Sequence, residues 1–292
     1  MGGKKPEGMV LINDQGLRLD GRRPDQLRNL KIEAGVLKQA DGSCYLEWGG
    51  NKVMAAVYGP RECHPRHDQD PTKARVRVRY NMAAFSVSDR KRPGPDRRSQ
   101  EISKISSEAL DHIVLASLYP RNAIDVFIEI LEAEAGTRCA GLTAACVALA
   151  DAGIPMKGMV ASVAAGKIDG VVCLDLSREE DNFGETDFPV AYVAGTNEIV
   201  LLQQDGHFSP EEIDRALELT AKAAQEIYAL QKAALLRKYE SMAQSGADEE
   251  RAEDAESASA QPEAEPDAAP DEEPHADVAA EPEAETTHEE VR

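Results

Sequence analysis

The sequence lacks the features that mark secreted and membrane proteins. Its 292 residues contain five cysteines, an odd number with no CxxC pair, which argues against a disulfide framework. No apolar run approaches the roughly 18 residues that a membrane span needs, and the N-terminus MGGKKPEG has no apolar stretch like that of a signal peptide. We therefore expect a soluble, cytoplasmic protein whose cysteines are small buried thiols in a reducing compartment.

Motifs for nucleotide and zinc binding are absent or incomplete. The chain has no GxxxxGK[ST], and Gly166-Lys167 is followed by Ile168, so a nucleotide P-loop is unsupported. The segment ECHPRHDQD offers Cys63, His64 and His67, but no second pair of ligands follows at zinc-finger spacing. Zinc binding is therefore the weaker interpretation of this loop.

The negative charge is concentrated at the C-terminal end. Residues 245–292 contain 18 acidic and 2 basic residues, a formal charge of −16 out of the total of −20. The remaining −4 leaves the body of the chain nearly balanced, so an acidic pI does not exclude an anionic partner. The tail is rich in Ala, Glu, Asp and Pro and has few large apolar residues, a composition that predicts disorder.

The distribution of apolar residues predicts an α+β fold with two similar halves. Residues 1–17 are interpreted as a mobile N-terminal arm. Residues 18–154 and residues 155–244 each show short strand-like segments followed by a helical pattern. In the second half, the segment Ser209–Glu212 predicts a helix start, because Ser at the N-cap and Glu three residues later form a capping box.

Two arginine-bearing helix starts are candidate anion sites. In DRKRPGPDRRSQE, Arg97 and Arg98 precede a helical pattern, where free backbone N–H groups and bidentate side chains can bind phosphate. In EAGTRCAG, Gly136 permits close backbone approach, Thr137 supplies a hydroxyl, and Arg138 supplies a planar cation. The alternatives are a solvated basic loop and an ordinary helix cap.

An acidic segment, EEDNFGETDFPVAYV, lies between two apolar runs and resembles the mouth of a hairpin. Its carboxylates are either a solvated turn or one side of a reaction centre. Carboxylates together with anion sites are what phosphoryl chemistry on a polyanion requires, but local patterns cannot show that these segments meet.

Several motifs together resemble the RNase PH superfamily, and in particular the catalytic RNase PH-like subunits of archaeal exosomes. The resemblance runs from about Leu17 to Gln244 and rests on GLRLDGRRPDQLR, ADGSCYLEWGGNKVMAAVYGP, HPRH, DRR before a helix, AGTR, LADAGIPM and EEDNFGETD. It implies an RNase PH-like fold of two βαβα-type halves. It also implies phosphorolysis of RNA from the 3′ end, with release of nucleoside diphosphates and a reversible ability to add RNA tails.

The resemblance also implies partners and RNA-binding residues. The expected assembly is a hexameric ring of three heterodimers with an inactive RNase PH-like subunit, under a cap of RNA-binding subunits. Arg97 and Arg98 match arginines that hold RNA phosphates near the scissile bond, and Arg66 matches an arginine that contacts RNA at the ring constriction.

The reaction centre is implied in the same way. Gly136, Thr137 and Arg138 match the inorganic-phosphate pocket, with Thr137 where some relatives have Ser. Asp181 and Asp187 match the two catalytic carboxylates. One of the two could protonate the leaving 3′ oxygen, or both could hold Mg²⁺, or Mn²⁺ in its place.

Two other functions compete with this interpretation. One is a non-catalytic ring subunit that binds RNA as a scaffold, and the other is a homohexameric RNase PH that trims tRNA 3′ ends. The presence of both carboxylates and AGTR disfavours the scaffold. A requirement for a partner subunit would separate the exosome from RNase PH.

Overall fold

The computed structural model describes residue 6, residues 8–89 and residues 91–259, with side chains described as far as Gln244. Met1–Ser245 forms one compact unit, and Gly246–Arg292 forms a second. Of the predicted acidic tail, residues 260–292 lie outside the described residues. The fold and the candidate site below belong to the first unit.

The first half is built on a five-stranded sheet with the order β1-β2-β3-β5-β4. Strands β4 and β5 are parallel, and the other pairs are antiparallel. Helix α1 forms the crossover between the two parallel strands, and helix α2 follows β5. The elements are β1 (Leu30–Ala34), β2 (Gly42–Trp48), β3 (Asn51–Glu62), β4 (Arg75–Met82), α1 (Arg97–Ile113), β5 (Asn122–Glu132) and α2 (Thr137–Asp151).

The second half has a smaller antiparallel sheet with the order β10-β8-β6-β7, and β9 also pairs with β8. The elements are β6 (Val160–Ile168), β7 (Val171–Leu174), α3 (Arg178–Phe183), β8 (Thr186–Val193), β9 (Ile199–Leu202), β10 (Asp205–Gly206) and α4 (Pro210–Ser259). The order β-α-β-α occurs in both halves, as β4-α1-β5-α2 and as β7-α3-β8 followed by α4. The predicted α+β fold of two halves is confirmed.

Helix α2 lies between the two sheets and contacts strands of both. Its residues are mostly Ala, Cys, Leu and Gly, and nearly all are buried, as expected for a helix that is apolar on every side. Gly141 permits the close approach to β5, because a Cβ atom there would lie 2.9 Å from Ile128 Cγ2. The buried side chains of both halves therefore form one continuous core.

Part of the predicted N-terminal arm is packed against the second half. Leu11 is 1% exposed, and its backbone N–H donates a hydrogen bond of 2.8 Å to Asp169 Oδ2. The prediction of a mobile arm over residues 1–17 is therefore wrong for this part. The apolar side chains near residue 11 supply the contact, which involves Met9, Leu11, Ile12, Ile168, Cys173, Leu176 and Phe183.

The long helix α4 begins where the sequence predicts. Ser209 accepts from the Glu212 backbone N–H at 3.3 Å, and the Glu212 carboxylate accepts from the Ser209 N–H at 2.8 Å. The helical backbone continues through Ser259, past the predicted start of the tail at Ser245. Ala and Glu, which dominate this stretch, have high helix propensity and account for the difference.

In the part of the chain that the structure describes, none of the helices has the length and apolar character needed to cross a bilayer.

Candidate active site

A polar cavity of about 320 Å³ brings together residues from both halves. Helix α1 contributes Arg98 and α2 contributes Arg138, while Asp181 comes from α3 and Asp187 from β8. Four of the eight predicted site residues therefore line one cavity, although almost ninety positions separate the first from the last. The full lining is Arg98, Glu101, Arg138, Asp181, Asp187, Pro189, Gln203, Gln204 and Asp205.

The start of α2 brings Arg138 to the wall of this cavity, whereas Gly136 and Thr137, which directly precede it, do not line the cavity. Gly136 is the N-cap and has φ = 71°, the left-handed region that glycine adopts without steric cost. Thr137 is 3% exposed, and its hydroxyl oxygen accepts a 2.9 Å hydrogen bond from the Tyr80 hydroxyl. This bond holds the Thr137 hydroxyl in place at the start of the helix that carries Arg138.

The guanidinium of Arg138 is only partly paired. One terminal nitrogen donates to Gln203 Oε1, which fixes the side chain against the strand-loop segment after β9. Its Nε is buried and has no hydrogen-bond partner among the described residues. A buried N–H without an acceptor is costly, so this atom is suited to an anionic ligand that supplies one.

The start of α1 differs from the prediction. Asp96 is its N-cap and accepts a 2.7 Å hydrogen bond from the Ser99 backbone N–H, with Lys91 Nζ 2.9 Å from its carboxylate. The backbone bond to Ser99, and then Lys91, lower the pKa of Asp96 to about 2. The carboxylate takes the Ser99 N–H and places a negative charge at the helix N-terminus, which makes this end less suited to an anion than predicted. The Arg98 side chain provides the positive charge instead.

Two predicted RNA-binding residues do not reach the cavity. Arg97 is exposed at the start of α1 but does not line it. Arg66 is exposed in a short 3₁₀ turn, Arg66–Asp68, between β3 and β4. Their roles in RNA binding stay predictions.

The acidic segment is a short helix and a strand, and the predicted hairpin is wrong. Strands β7 and β8 both pair with β6 and not with each other. The physical reason is a second capping box, in which the Ser177 backbone N–H donates to the Glu180 carboxylate at 2.7 Å and helix α3 begins. Asp181 lies on that helix, and Asp187 is the second residue of β8. The S-x-x-E spacing in SREE was a local signal for this helix.

The two carboxylates influence each other. Burial, followed by the negative charge of Asp181, raises the pKa of Asp187 to about 6, and Asp205 acts in the same direction. Arg138 and Arg98 oppose this rise, which shows that the cations and carboxylates share one electrostatic environment. Asp187 is therefore a carboxyl group that exchanges a proton close to neutral pH.

The donor set fits a magnesium ion that keeps most of its water ligands. Within the described side chains, no group of three or more His, Cys, Asp and Glu residues is arranged to hold a metal. Two carboxylates in one polar cavity are nevertheless enough for Mg²⁺, which is commonly held by one or two carboxylates plus substrate phosphates. The repulsion between Asp181 and Asp187 is what a bound cation would relieve.

The raised pKa predicts a pH-dependent stability cost. Between pH 4 and 6, Asp187 stays protonated in the folded chain but ionises in the unfolded chain, so the free energy of unfolding falls as pH rises through this window. Asp187→Asn cannot ionise, and we expect it to be more stable than the parent chain by roughly 2–3 kcal/mol at pH 7 without metal. Urea unfolding in EDTA at pH 4 and pH 7 measures this. An equal difference at both pH values would contradict the assignment.

Local sequence patterns indicate Glu101, Gln203 and Asp205 only weakly as residues of the site. The last two lie in QQDG, a polar segment directly after the strand EIVLL, and polar residues at the end of a strand were the available signal. Gln203 also connects the two walls, because its amide nitrogen lies 3.4 Å from Glu101 Oε1 while its oxygen accepts from Arg138.

Family models match most of the folded unit. The model of the 3′ exoribonuclease family, domain 1, matches residues 26–155, and the model of domain 2 of the same family matches residues 158–223. The two matches leave residues 156 and 157 between them.

Curated relatives agree with these matches. The exosome complex component Rrp41 of Thermococcus kodakarensis is 59% identical over 240 residues, 82% of this chain and 96% of that protein. The protein of the same name in Archaeoglobus fulgidus is 59% identical over 239 residues, 81% of this chain and 92% of that protein. The Methanosarcina mazei protein is 58% identical over 236 residues, and the match spans only about half of its length, 48%.

Solved structures share the fold. Rice Rrp46 superposes with a TM-score of 0.67 at 24% identity, covering 74% of this chain and 98% of that one. A chain of the Archaeoglobus fulgidus exosome with RNA bound to the active site gives 0.65 at 22%, covering 73% of this chain and 92% of that one. The two family models, the archaeal relatives and the fold agree, and the chain belongs to the 3′ exoribonuclease family, the RNase PH family.

Proposed function

We propose that this chain is the catalytic subunit of an exosome complex and degrades RNA from its 3′ end by phosphorolysis. The observation that carries the proposal is the single cavity in which Arg98 and Arg138 face Asp181 and Asp187. The relatives named as exosome components and the exosome chain with RNA at its active site support the same function.

Two cationic groups suit a reaction between two phosphates. Arg98 contacts a phosphate of the RNA backbone, and Arg138 holds inorganic phosphate through its unpaired Nε. The Thr137 hydroxyl and the backbone at Gly136 complete the binding of the attacking phosphate. Holding both reactants in one cavity turns a bimolecular attack into a step within a complex.

The reaction exchanges one phosphate ester for a phosphoanhydride. An oxygen of inorganic phosphate attacks the last phosphodiester phosphorus, the bond from phosphorus to the upstream 3′ oxygen breaks, and that oxygen takes a proton. The products are a nucleoside diphosphate and an RNA shortened by one residue. Because the diphosphate retains the bond energy, the reverse reaction adds nucleotides to an RNA tail.

The carboxylate pair is placed to act on the 3′ oxygen that leaves. Asp187, with its pKa of about 6, is able to carry the proton that the 3′ oxygen takes. The alternative is that both Asp181 and Asp187 are ionised and together would hold Mg²⁺, or Mn²⁺, in which case the bound ion would neutralise charge that develops on the transferred phosphoryl group.

The assembly follows from the same proposal. The ring consists of three heterodimers with an inactive RNase PH-like subunit, RNA-binding subunits cap one face, and Arg66 contacts RNA at the constriction. Support comes from the exosome names of the relatives and from the likeness to Rrp46. A cytoplasmic location is supported by the five free cysteines, all of them buried.

The test is to purify the chain with the subunits that accompany it and to supply RNA and Mg²⁺ with and without inorganic phosphate. Nucleoside diphosphates that appear only with phosphate are the expected product. Nucleoside monophosphates would mean hydrolysis and would contradict the phosphate site. An intact ring without any product would indicate a scaffold, and full activity of the chain alone would indicate a homohexameric RNase PH.

A further inference from the structure

Arg28 lies between the two walls of the site and bonds to both. Its Nε and one terminal nitrogen donate to the two oxygens of Asp175, at 3.1 and 2.7 Å. The other terminal nitrogen donates to Glu134 Oε2 at 2.7 Å, and the nitrogen that is bonded to Asp175 Oδ1 also donates to the backbone oxygen of Ala135 at 3.1 Å. Arg28 is 9% exposed and Asp175 is 4% exposed, so this is a buried guanidinium in which each of the three nitrogens donates to the protein.

The partners of Arg28 are next to the reacting groups in the chain. Glu134 and Ala135 directly precede Gly136, the cap of α2 and the start of the proposed phosphate site. Asp175 has φ = 53° and lies two residues before Ser177, the cap of the helix that carries Asp181. One side chain therefore connects the phosphate wall in the first half to the carboxylate wall in the second.

Each partner is also held from its other side. Asp175 Oδ2 accepts a 2.9 Å hydrogen bond from Trp48 Nε1, and Glu134 Oε2 accepts a 2.7 Å hydrogen bond from the Gly50 backbone N–H. The backbone oxygen of Ala135 accepts a second bond, from Asn51 Nδ2 at 2.6 Å. These contacts restrict the carboxylates of Asp175 and Glu134 on either side of Arg28, and Arg28 is the side chain that bonds to both of them.

The cavity itself does not include Arg28. Its three side-chain nitrogens are all bonded to protein atoms, and the residue is not among those that line the cavity. A buried ion pair of this kind is weak evidence for added stability, because desolvation offsets much of the attraction. The planar guanidinium does, however, fix the directions of its partners, which a lysine ammonium cannot do.

We propose that Arg28 is a positioning residue that sets the spacing between the phosphate-binding segment Gly136–Arg138 and the carboxylate pair Asp181 and Asp187. This inference rests on the proposed phosphorolytic function. It assigns no contact with substrate to Arg28. Small displacements of reacting groups have large effects on rate, so a change in this spacing is expected to appear in the use of phosphate before it appears in RNA binding.

The test is Arg28→Lys in the assembled complex. The lysine keeps the charge but cannot bond to Asp175, Glu134 and Ala135 at once. We expect the KM for phosphate to rise by about 10-fold or more, with RNA affinity close to that of the parent complex and a lower temperature of unfolding, because a buried ion pair is disrupted. The matched control is Arg215→Lys, which alters an exposed ion pair with Glu218 on α4.

A second variant keeps the inference testable if Arg28→Lys does not fold. Glu134→Gln removes the charged partner on the phosphate side and leaves the bonds between Arg28 and Asp175. We expect it to raise the KM for phosphate as well, and the double variant to show less than the product of the two single effects, because both changes break the same connection.

The outcomes separate the inference from the function on which it rests. If the parent complex releases no nucleoside diphosphates, the proposed function fails. If the parent complex is active and both variants lower kcat only in proportion to the folded fraction, with an unchanged KM for phosphate, Arg28 is merely structural and the inference is wrong. Independent effects of Arg28→Lys and Glu134→Gln would also overturn it.

Discussion

Asp181→Asn is expected to lower phosphorolytic turnover by about 10²–10⁴-fold while RNA binding stays close to normal. The asparagine is nearly isosteric, but it carries neither the negative charge that a Mg²⁺ ion requires nor the charge that raises the pKa of Asp187. RNA affinity depends mainly on cationic side chains and is expected to survive the change. Single-turnover release of nucleoside diphosphates and a separate filter-binding assay measure the two quantities.

The matched control for this variant is Glu179→Gln on the same short helix. Glu179 is exposed and does not line the cavity, so its replacement is expected to leave turnover within about twofold, as for surface substitutions away from special features. Turnover of Asp181→Asn equal to that of the control would remove Asp181 from the chemistry. The acidic segment would then be a solvated surface feature.

Arg138→Met is expected to raise the KM for inorganic phosphate by about 10- to 100-fold, the equivalent of one charge-assisted hydrogen bond of about 1.5–3 kcal/mol. The buried Nε, which has no acceptor among the described residues, is the group that an anion would satisfy. Arg138→Lys is expected to fall between the parent and Arg138→Met, because it keeps the charge without the planar donors. Initial rates over a range of phosphate concentrations give the KM of each variant.

Arg97→Met is the comparison for this experiment. Arg97 is the neighbour of Arg98 in the sequence and carries the same charge, but it does not line the cavity. It should leave the KM for phosphate unchanged, whatever it does to RNA affinity. An equal rise in KM for Arg97→Met and Arg138→Met would mean that the phosphate is held by general positive charge and not by a built site.

Local sequence patterns predict the elements of the fold that depend on residues close in sequence. The capping box at Ser209 and Glu212 and the small-residue helix after Gly136 each depend on neighbours within four residues. The convergence of the site depends on distant pairings. Arg138 is bonded to Gln203, 65 positions later, and no spacing rule in the sequence connects them.

The two wrong predictions, the hairpin around Asp181 and the mobile N-terminal arm, also concern contacts between distant segments. The hairpin prediction around Asp181 treated two apolar runs as partners, whereas β6, earlier in the chain, lies between them. The N-terminal segment around Leu11 contains the short apolar run MVLI, which does not by itself indicate what it packs against. It is buried only because the second half offers a complementary surface. Neither the pairing of β6 nor the packing of the N-terminal segment can be predicted from one segment alone.

The position of α2 has a consequence for how the molecule folds. Family models divide the chain near residue 156, yet α2 lies before that point and is covered by both sheets. Neither half can complete its interior without the other, so the two should unfold in one cooperative transition and not as independent modules. A truncated protein that ends at the boundary between the two family models would leave one apolar side of α2 uncovered. Proteins with such exposed apolar surface are prone to self-association. The reaction centre at the junction is therefore assembled only in the same event that completes the core.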